Sequence, residues 1–125
     1  MTQPGAGSQH TYQVTDADTA ASLGSGDLAV LGTPRLLAWW EQQTLAAVAD
    51  GLPLSSSSVG TAVDIEHLRA APVGAAVHVS AELVDVDGRR HRFAVVATDE
   101  QGAVLGRGEI TRVVVDANRF LSRLT

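Results

Sequence analysis

Two side chains in this sequence could perform acid–base chemistry, because each lies on the apolar side of a predicted element. The first is Glu41, within residues 34–48, which read as one helix. Its neighbours at helical spacing form an apolar stripe that should face a core, namely Leu37, Thr44, Leu45 and Val48. A carboxylate in such a stripe loses hydration, which proteins tolerate mainly where the group is paired or takes part in chemistry.

The second is His67, near the end of a segment that alternates like a strand. One face of this segment carries Val59, Thr61, Val63, Ile65 and His67, and the other carries Gly60, Ala62, Asp64, Glu66 and Leu68. If the helix packs on the sheet, Glu41 and His67 should meet in one pocket, directly or through one water. Such a pair would act as a general acid and base. Asp64 and Glu66 alternate away from that face, so we expect both to be solvated.

Thr33 and Pro34 predict where the helix begins, with the threonine as N-cap and the proline at the first helical position. Capping alone is enough to explain Thr33. A helix N-terminus also presents backbone N–H groups that suit a carbonyl oxygen or an anion, and a hydroxyl there would lie close to such a ligand. The helix should end near Asp50 and Gly51.

The order of the elements predicts an α+β fold. A strand near residues 10–15 and a connecting segment precede the helix, and four strands follow it as an antiparallel meander, at residues 59–68, 75–86, 89–98 and 103–115. Asp87-Gly88 predicts one hairpin turn. A five-stranded antiparallel sheet wrapped around one long central helix, the hot-dog arrangement, buries both elements. Such a sheet leaves one edge open, which pairing in a homodimer would cover.

Length and composition limit the class of protein. The 125 residues suffice for one domain, predicted at 9–120, between a disordered tail at 1–8 and a C-terminal tail at 121–125. There are no cysteines, which excludes disulfides and a cysteine nucleophile, and no residue cluster has metal-ligand spacing. A net charge of −5 argues against nucleic acid as a partner. With no cofactor signal, no signal peptide and no apolar run of membrane length, we expect a cytoplasmic protein without a membrane partner.

Three further features have structural interpretations, and one of them also has a functional alternative. The remaining histidines have no partner at a recognisable spacing and should be surface residues: His10, His78 and His91. Gly106 and Gly108 lie inside a strand pattern, where glycine marks a bulge or a close approach. Three arginines open the fourth strand: Arg89, Arg90 and Arg92. A solvated hairpin explains them, and the alternative is that they contact a nucleotide phosphate.

The order and spacing of several short motifs resemble the fluoroacetyl-CoA thioesterase family of hot-dog proteins. The motifs that carry the resemblance are Thr33-Pro34 with Glu41, Val59-Gly60-Thr61 with His67, residues 70–74, Gly106-Arg107-Gly108, and Thr111-Arg112 with Phe120. The resemblance implies that Thr33, Glu41 and His67 are the catalytic set. It also implies that Gly60 and Arg112 contact the substrate.

By this resemblance, the protein would be a homodimeric thioesterase that hydrolyses an acyl-CoA or related acyl thioester to free acid and thiol. Glu41 would act as base or nucleophile, His67 as proton carrier, and Thr33 would hold the carbonyl side. The family member selective for fluoroacetyl-CoA has a bulky apolar lid with phenylalanines before the helix, whereas residues 17–32 here contain no aromatic residue. A general short- or medium-chain acyl-CoA thioesterase therefore resembles this chain better.

Two other functions are compatible with parts of the pattern. A noncatalytic protein that binds acyl-CoA or another small ligand could have the same fold, and thiol release from a panel of acyl-CoAs would separate it from an enzyme. Hot-dog enoyl-CoA hydratases resemble one another in an aspartate and histidine set near a Gly-Asp motif. That motif is absent around Asp64 and His67.

Overall fold

The computed structural model describes residues 2–125 as a five-stranded antiparallel sheet with one long helix against one face. The strands are β1 (Gly7–Gln13), β2 (Ser56–His67), β3 (Ala76–Asp87), β4 (Arg90–Thr98) and β5 (Val104–Asp116). The helices are α1 (Ala20–Leu23), α2 (Thr33–Val48) and α3 (Ala117–Ser122). The predicted fold class, one antiparallel sheet around one long helix, is confirmed.

The strands lie in the order β1-β3-β4-β5-β2, so β1 and β2 form the two edges of the sheet. The predicted meander is wrong for β2, which pairs with β5 instead of β3. The connection from His67 to Ala76 crosses the end of the sheet, where the N–H groups of Leu68 and Arg69 donate to the carbonyl oxygen of Leu105. The strand that carries His67 therefore has one edge that no other strand of residues 2–125 covers.

Helix α2 packs on the sheet through its two tryptophans. A Cβ at position 106 in β5 would come within 2.9 Å of the Trp40 ring and 3.3 Å of Leu36, so only a glycine allows this close approach. Trp39 points in another direction and stacks on Tyr12 of β1, with the ring centroids 4.5 Å apart. Of the close approaches predicted for the strand glycines, the one at Gly106 thus involves the helix, whereas Gly108 lies against the backbone of β2.

The buried stripe of α2 is rotated by one residue from the predicted stripe. It consists of Leu36, Trp39, Trp40, Gln43, Thr44 and Val48. The large indole rings occupy the core side of the helix, which turns Leu45 and Glu41 toward its border. Leu45 is 40% exposed and the Glu41 side chain is 37% exposed, so the predicted burial of Glu41 at the middle of the stripe is wrong.

A β-bulge in β2 changes which residues share a face. Gly60 and Ala62 pair with consecutive residues of β5, so Thr61 is left over. Because of this extra residue, Gly60 and His67 lie on the same face of the sheet, toward α2. The regular alternation expected from the sequence put Gly60 on the opposite face, and that prediction is wrong.

Several boundaries also differ from those predicted. Strand β1 begins at Gly7, inside the predicted disordered tail, and the N–H of Gly5 donates to Leu83 beyond it. Helix α2 ends at Val48 and continues as a 3-10 turn, and the β3–β4 turn lies one residue later than predicted. Within residues 2–125, no helix is long and apolar enough to cross a membrane, and no group of three His, Cys, Asp or Glu side chains could hold a metal ion.

Candidate active site

Thr33 and His67 come together where α2 begins and β2 ends. The Oγ1 atom of Thr33 lies 2.8 Å from Nδ1 of His67, which is hydrogen-bond distance. The N-cap of α2 is Gly32, whose carbonyl oxygen accepts from the N–H groups of Arg35 and Leu36 at 3.0 and 3.1 Å. The predicted N-cap role of Thr33 is therefore wrong by one residue, and its hydroxyl bonds the histidine instead.

The second ring nitrogen of His67 is buried. Its Nε2 has no hydrogen-bond partner within residues 2–125, which is unusual for a buried polar atom. Burial lowers the pKa of His67 below its ordinary value, and the backbone of Arg69 opposes that shift. A neutral imidazole bonded to the Thr33 hydroxyl can accept or donate a proton near neutral pH.

A cavity of about 280 Å³ adjoins this pair. Its walls come from the segment before α2 and from the end of β2, and consist of Ala20, Ser25, Val30, Leu31, Thr33, His67, Leu68, Arg69 and Ala70. Most of these side chains are small or aliphatic. The cavity lies near the lower end of the size range of small-molecule sites. It is therefore suited to a small apolar group placed beside the Thr33 hydroxyl.

Glu41 is held by an arginine from the sheet. Nη1 of Arg112 donates to Oε2 of Glu41 at 3.1 Å, while its Nε and Nη2 donate to the side-chain and backbone oxygens of Ser58, both at 2.8 Å. Burial lowers the pKa of the Arg112 guanidinium, and the Glu41 carboxylate opposes that shift. Arginine nevertheless stays protonated in proteins. A fixed, buried cation thus orients a partly exposed carboxylate.

Gly60 lies directly beside this carboxylate. A Cβ at position 60 would come 2.9 Å from Oε2 of Glu41 and 3.7 Å from Nη1 of Arg112. A residue with any side chain would push the carboxylate aside, so the glycine keeps that space open. The three residues Gly60, Glu41 and Arg112 therefore form one group.

Within one chain, the Thr33–His67 pair is separate from the group formed by Gly60, Glu41 and Arg112. Glu41 follows Thr33 by eight residues in α2, which corresponds to a rise of about 12 Å along the helix axis. Across residues 2–125, Glu41 makes its side-chain hydrogen bond to Arg112 and His67 makes its own to Thr33. The predicted contact between Glu41 and His67 is therefore wrong for a single chain, although both side chains lie on the helix side of the sheet.

His91 is a buried histidine that the sequence analysis placed on the surface. It is 3% exposed, and it pairs with Arg112 across β4 and β5 on the helix side of the sheet. Its Nδ1 has no partner among the described residues 2–125, and burial lowers its pKa. The signal was present in the sequence, because His91 alternates in phase with Phe93 and Val95, which are both buried.

Comparison with known proteins identifies the family. Residues 14–118 match the family described as fluoroacetyl-CoA-specific thioesterase. The chain belongs to this family. It is 33% identical over 95 residues to the fluoroacetyl-CoA thioesterase of Streptantibioticus cattleyicolor, a match that covers 76% of this chain and 68% of the relative.

Solved structures agree with this thioesterase family and with its fold. A threonine-to-serine variant of the fluoroacetyl-CoA thioesterase, in complex with acetyl-CoA, aligns with a TM-score of 0.91 at 27% identity, over 98% of this chain and 96% of that one. A hot-dog-like protein from Thermanaerovibrio acidaminovorans aligns with a TM-score of 0.87 at 23% identity, over 97% of this chain and 89% of that one. The hot-dog fold and the thioesterase family predicted from the motifs are confirmed.

Proposed function

We propose that this member of the thioesterase family is a homodimer that hydrolyses an acyl-CoA at a site shared between two chains. Thr33 and His67 of one subunit form one half of the site. Glu41 of the partner subunit, held by its own Arg112 and Gly60, forms the other half. The observation that carries the proposal is the separation of about 12 Å along α2 between two groups that general acid–base catalysis needs together.

The open edge of β2 supports a dimer. An edge strand with unpaired backbone groups tends to acquire a partner or a cover. Beside this edge, Leu45 of α2 and Val63 of β2 are 40% and 44% exposed. Pairing the β2 edges of two copies about a two-fold axis would cover both side chains and continue the sheet through the dimer.

A two-fold axis beside Asp64, where each Asp64 lies opposite its own copy in the partner, gives the register that the shared site requires. Antiparallel pairing sets residues of the same face opposite each other. Because Thr61 is the extra residue of the bulge, Gly60 lies as far from this axis as the partner's His67 does, and the two lie opposite each other. Paired strands lie about 4.8 Å apart. Since the Glu41 carboxylate lies beside Gly60, it comes within reach of the partner's His67, and each dimer has two such sites.

Each group then has one task in thioester hydrolysis. The Thr33 hydroxyl and the positive end of α2 stabilise negative charge on the carbonyl oxygen as the bond to carbon forms. Glu41 of the partner subunit either removes a proton from an attacking water or attacks the carbonyl carbon itself. His67 carries a proton to the departing thiolate. The bond from the carbonyl carbon to sulfur breaks, and the products are the free acid and CoA thiol.

The two roles of Glu41 differ in where the oxygen of water arrives. If Glu41 activates water, a single turnover in ¹⁸O-water puts the label only into the acid. If Glu41 attacks, an anhydride with the enzyme forms and the thiolate leaves. Water attack on the enzyme side of that anhydride then leaves ¹⁸O in Glu41. Label in the peptide that contains Glu41, read by mass spectrometry, therefore shows that Glu41 attacks the carbonyl carbon.

The substrate class follows from the cavity beside Thr33 and His67. Its volume of about 280 Å³ and its small or aliphatic lining favour a short- or medium-chain acyl group. A related thioesterase has been solved in complex with acetyl-CoA. The absence of aromatic residues at positions 17–32 leaves this chain without a bulky lid, so we propose a substrate range that is not limited to fluoroacetyl-CoA.

Thiol release from acetyl-, fluoroacetyl-, butyryl- and hexanoyl-CoA tests the activity. Glu41→Gln and His67→Ala should each lower kcat for the best substrate about a hundredfold or more, in line with general acid–base contributions. Light scattering should give twice the chain mass for the parent and both variants. A parent that binds CoA in calorimetry but releases no thiol from any substrate would replace the enzyme with the noncatalytic binding protein.

Mixed dimers test whether the site is shared. A dimer of one Glu41→Gln chain and one His67→Ala chain has one site with both groups intact and one with neither. After subunit exchange, the mixture should therefore recover activity, up to about half that of the parent per mixed dimer. If exchange is verified by mass and no activity returns, the two residues act within one chain and the shared site is wrong.

A further inference from the structure

Four arginines have no carboxylate partner within residues 2–125. Five of the nine arginines form ion pairs, namely Arg35, Arg90, Arg92, Arg107 and Arg112. The other four do not, namely Arg69, Arg89, Arg119 and Arg123. In a protein of net charge −5, such cations are candidates for binding an anion from outside the chain.

One of the four already lies at the candidate active site. Arg69 follows His67 by two residues and lines the same cavity. Its backbone N–H is fixed to Leu105, while its side chain is exposed. The guanidinium of Arg69 therefore reaches solvent at the mouth of the cavity.

Two more lie together at α3, where Arg119 is within the helix and Arg123 is its C-cap. Arg119 and Arg123 are four positions apart, so they lie on the same side of this short helix. The N-cap Asp116 accepts from the backbone N–H of Arg119, and the Arg119 residue is exposed. Helix α3 is attached at the Ser56 end of β2, where the N–H of Ala117 donates to the carbonyl oxygen of Ser55 at 2.9 Å.

The register of the proposed dimer brings these arginines to one place. With the two-fold axis beside Asp64, the Ser56 end of β2 and the attached α3 lie next to the His67 end of the partner strand. Both ends carry exposed apolar side chains. At the Ser56 end, Leu54 is 97% exposed and Leu121 is 59% exposed. At the His67 end, Leu68 is 48% exposed and Val73 is 43% exposed. The pairing would cover them and set α3 beside the partner's cavity.

We propose that α3 of each subunit binds the nucleotide phosphates of the CoA whose thioester lies in the partner's cavity. Arg119 and Arg123 of the partner subunit and Arg69 of the cavity then form a cationic mouth for the diphosphate and 3′-phosphate. Guanidinium groups match phosphate oxygens in shape and charge. This assignment rests on the proposed acyl-CoA substrate and on the β2-edge dimer.

Substrates with and without phosphates test the assignment. We compare acetyl-CoA with the acetyl thioester of N-acetylcysteamine, which lacks the nucleotide. Changing both Arg119→Gln and Arg123→Gln should raise KM for acetyl-CoA about tenfold, equivalent to about 1.4 kcal/mol, and leave kcat and the KM of the short thioester unchanged. The control is Arg89→Gln, an unpaired arginine on the turn between β3 and β4, which should change neither KM.

A second experiment asks which chain supplies α3. In mixed dimers of Glu41→Gln and His67→Ala chains, the intact site uses His67 from the first chain and Glu41 from the second. The arginine changes should raise KM for acetyl-CoA only on the His67→Ala chain, because that chain supplies α3 to the intact site. The assignment would be overturned if the arginine changes raised the KM for acetyl-CoA equally on either chain of the mixed dimer. It would also be overturned if they raised the KM of both thioesters equally.

The role of α3 can also be tested without turnover. If the parent hydrolyses neither thioester, the proposed function fails, and CoA binding by calorimetry still tests α3. The double variant should then bind CoA about tenfold more weakly and pantetheine as the parent does. Unchanged CoA binding would show that α3 does not contact the phosphates.

Discussion

The Thr33 hydroxyl and the His67 ring are hydrogen-bonded at 2.8 Å, at the first residue of α2 and the last residue of β2. This contact fixes the start of the helix against the end of an edge strand. It also joins the polar groups of one half of the candidate site, while Glu41 and Arg112 join the other half further along the helix.

Replacing Thr33 separates its chemistry from its place in the helix. Thr33 is exposed and is not the N-cap, so Thr33→Ala should lower the free energy of unfolding only by its hydrogen bond to His67, about 0.5–1.5 kcal/mol. It should lower kcat for the best acyl-CoA, whereas Thr33→Ser keeps the hydroxyl and most of the activity. Urea unfolding and thiol release measure the two effects. A Thr33→Ala enzyme as fast as the parent would remove Thr33 from the site.

A methyl group at position 60 should displace the Glu41 carboxylate. The added Cβ of Gly60→Ala would lie 2.9 Å from Oε2 of Glu41, at the flexible end of a side chain, so the fold can adjust at little cost. Misplacement of a catalytic group by about 1 Å can cost about a hundredfold in rate. We therefore expect a large loss of kcat/KM with an unchanged melting temperature. Glu41→Gln should lower the kcat/KM of the Gly60→Ala variant much less than it lowers the kcat/KM of the parent, because both changes act on the same carboxylate.

Arg112→Lys tests whether the guanidinium orients Glu41. A lysine keeps the charge but presents its donors from one nitrogen, whereas the contacts to Ser58 and Glu41 use three nitrogens of the planar guanidinium. Stability should fall by about 1–2 kcal/mol, because a buried hydrogen-bond network is broken, and kcat/KM should fall with it. The matched control is Arg92→Lys, whose pair with Glu109 is exposed and should be worth less than about 1 kcal/mol. Equal effects of the two substitutions would contradict the positioning role of Arg112.

The two buried histidines predict how stability depends on pH. Burial lowers the pKa of both His67 and His91, so the unfolded chain binds protons at a higher pH than the folded chain does. Their contribution to stability is therefore complete above the ordinary histidine pKa of about 6.5 and is lost as the pH falls below it. Urea unfolding at pH 7.5 and 5.5 should show the loss, and His91→Leu should reduce it. Stability that rises on acidification would contradict the assignment.

A single cysteine tests the proposed dimer register. The parent has no cysteine, so Asp64→Cys introduces one thiol per chain, on the proposed two-fold axis. Disulfides form when the Cα atoms lie about 4.4–6.8 Å apart, which paired edge strands near an axis provide. Mild oxidation should give a covalent dimer on a nonreducing gel. The control is Val104→Cys, at an exposed position of β5 away from the β2 edge, which should stay monomeric on the same gel.

The sequence predicted the fold and the family better than the details of the site. Alternation and helical spacing found the strands, α2, and the helix-facing position of His67. The rotation of the α2 stripe was missed because the period alone does not say which large side chains occupy the core, and here the tryptophans do. The order of strands was missed because the pairing of β2 with β5 depends on contacts far apart in the chain.

The candidate site was predicted as a set of residues but not as an arrangement. Glu41 and His67 were selected from the apolar faces on which they were expected, yet the structure pairs each with a different residue. Local spacing does not show that His67 lies beside the first residue of α2 while Glu41 lies about two turns further along that helix. The resemblance supplied Arg112 and Gly60, and the physical reason for both appears only with the Glu41 carboxylate between them. The cytoplasmic location stays a prediction.

The bulge at Thr61 has a consequence for how β2 can change during evolution. Side chains alternate along a strand, so the loss of this one residue would turn either Gly60 or His67 to the outer face of the sheet. Loss or gain of two residues would keep both facing α2 and alter only their spacing. Viable insertions and deletions between these two positions should therefore come in pairs, and the unpaired Thr61 should be retained in any descendant that keeps both halves of the site.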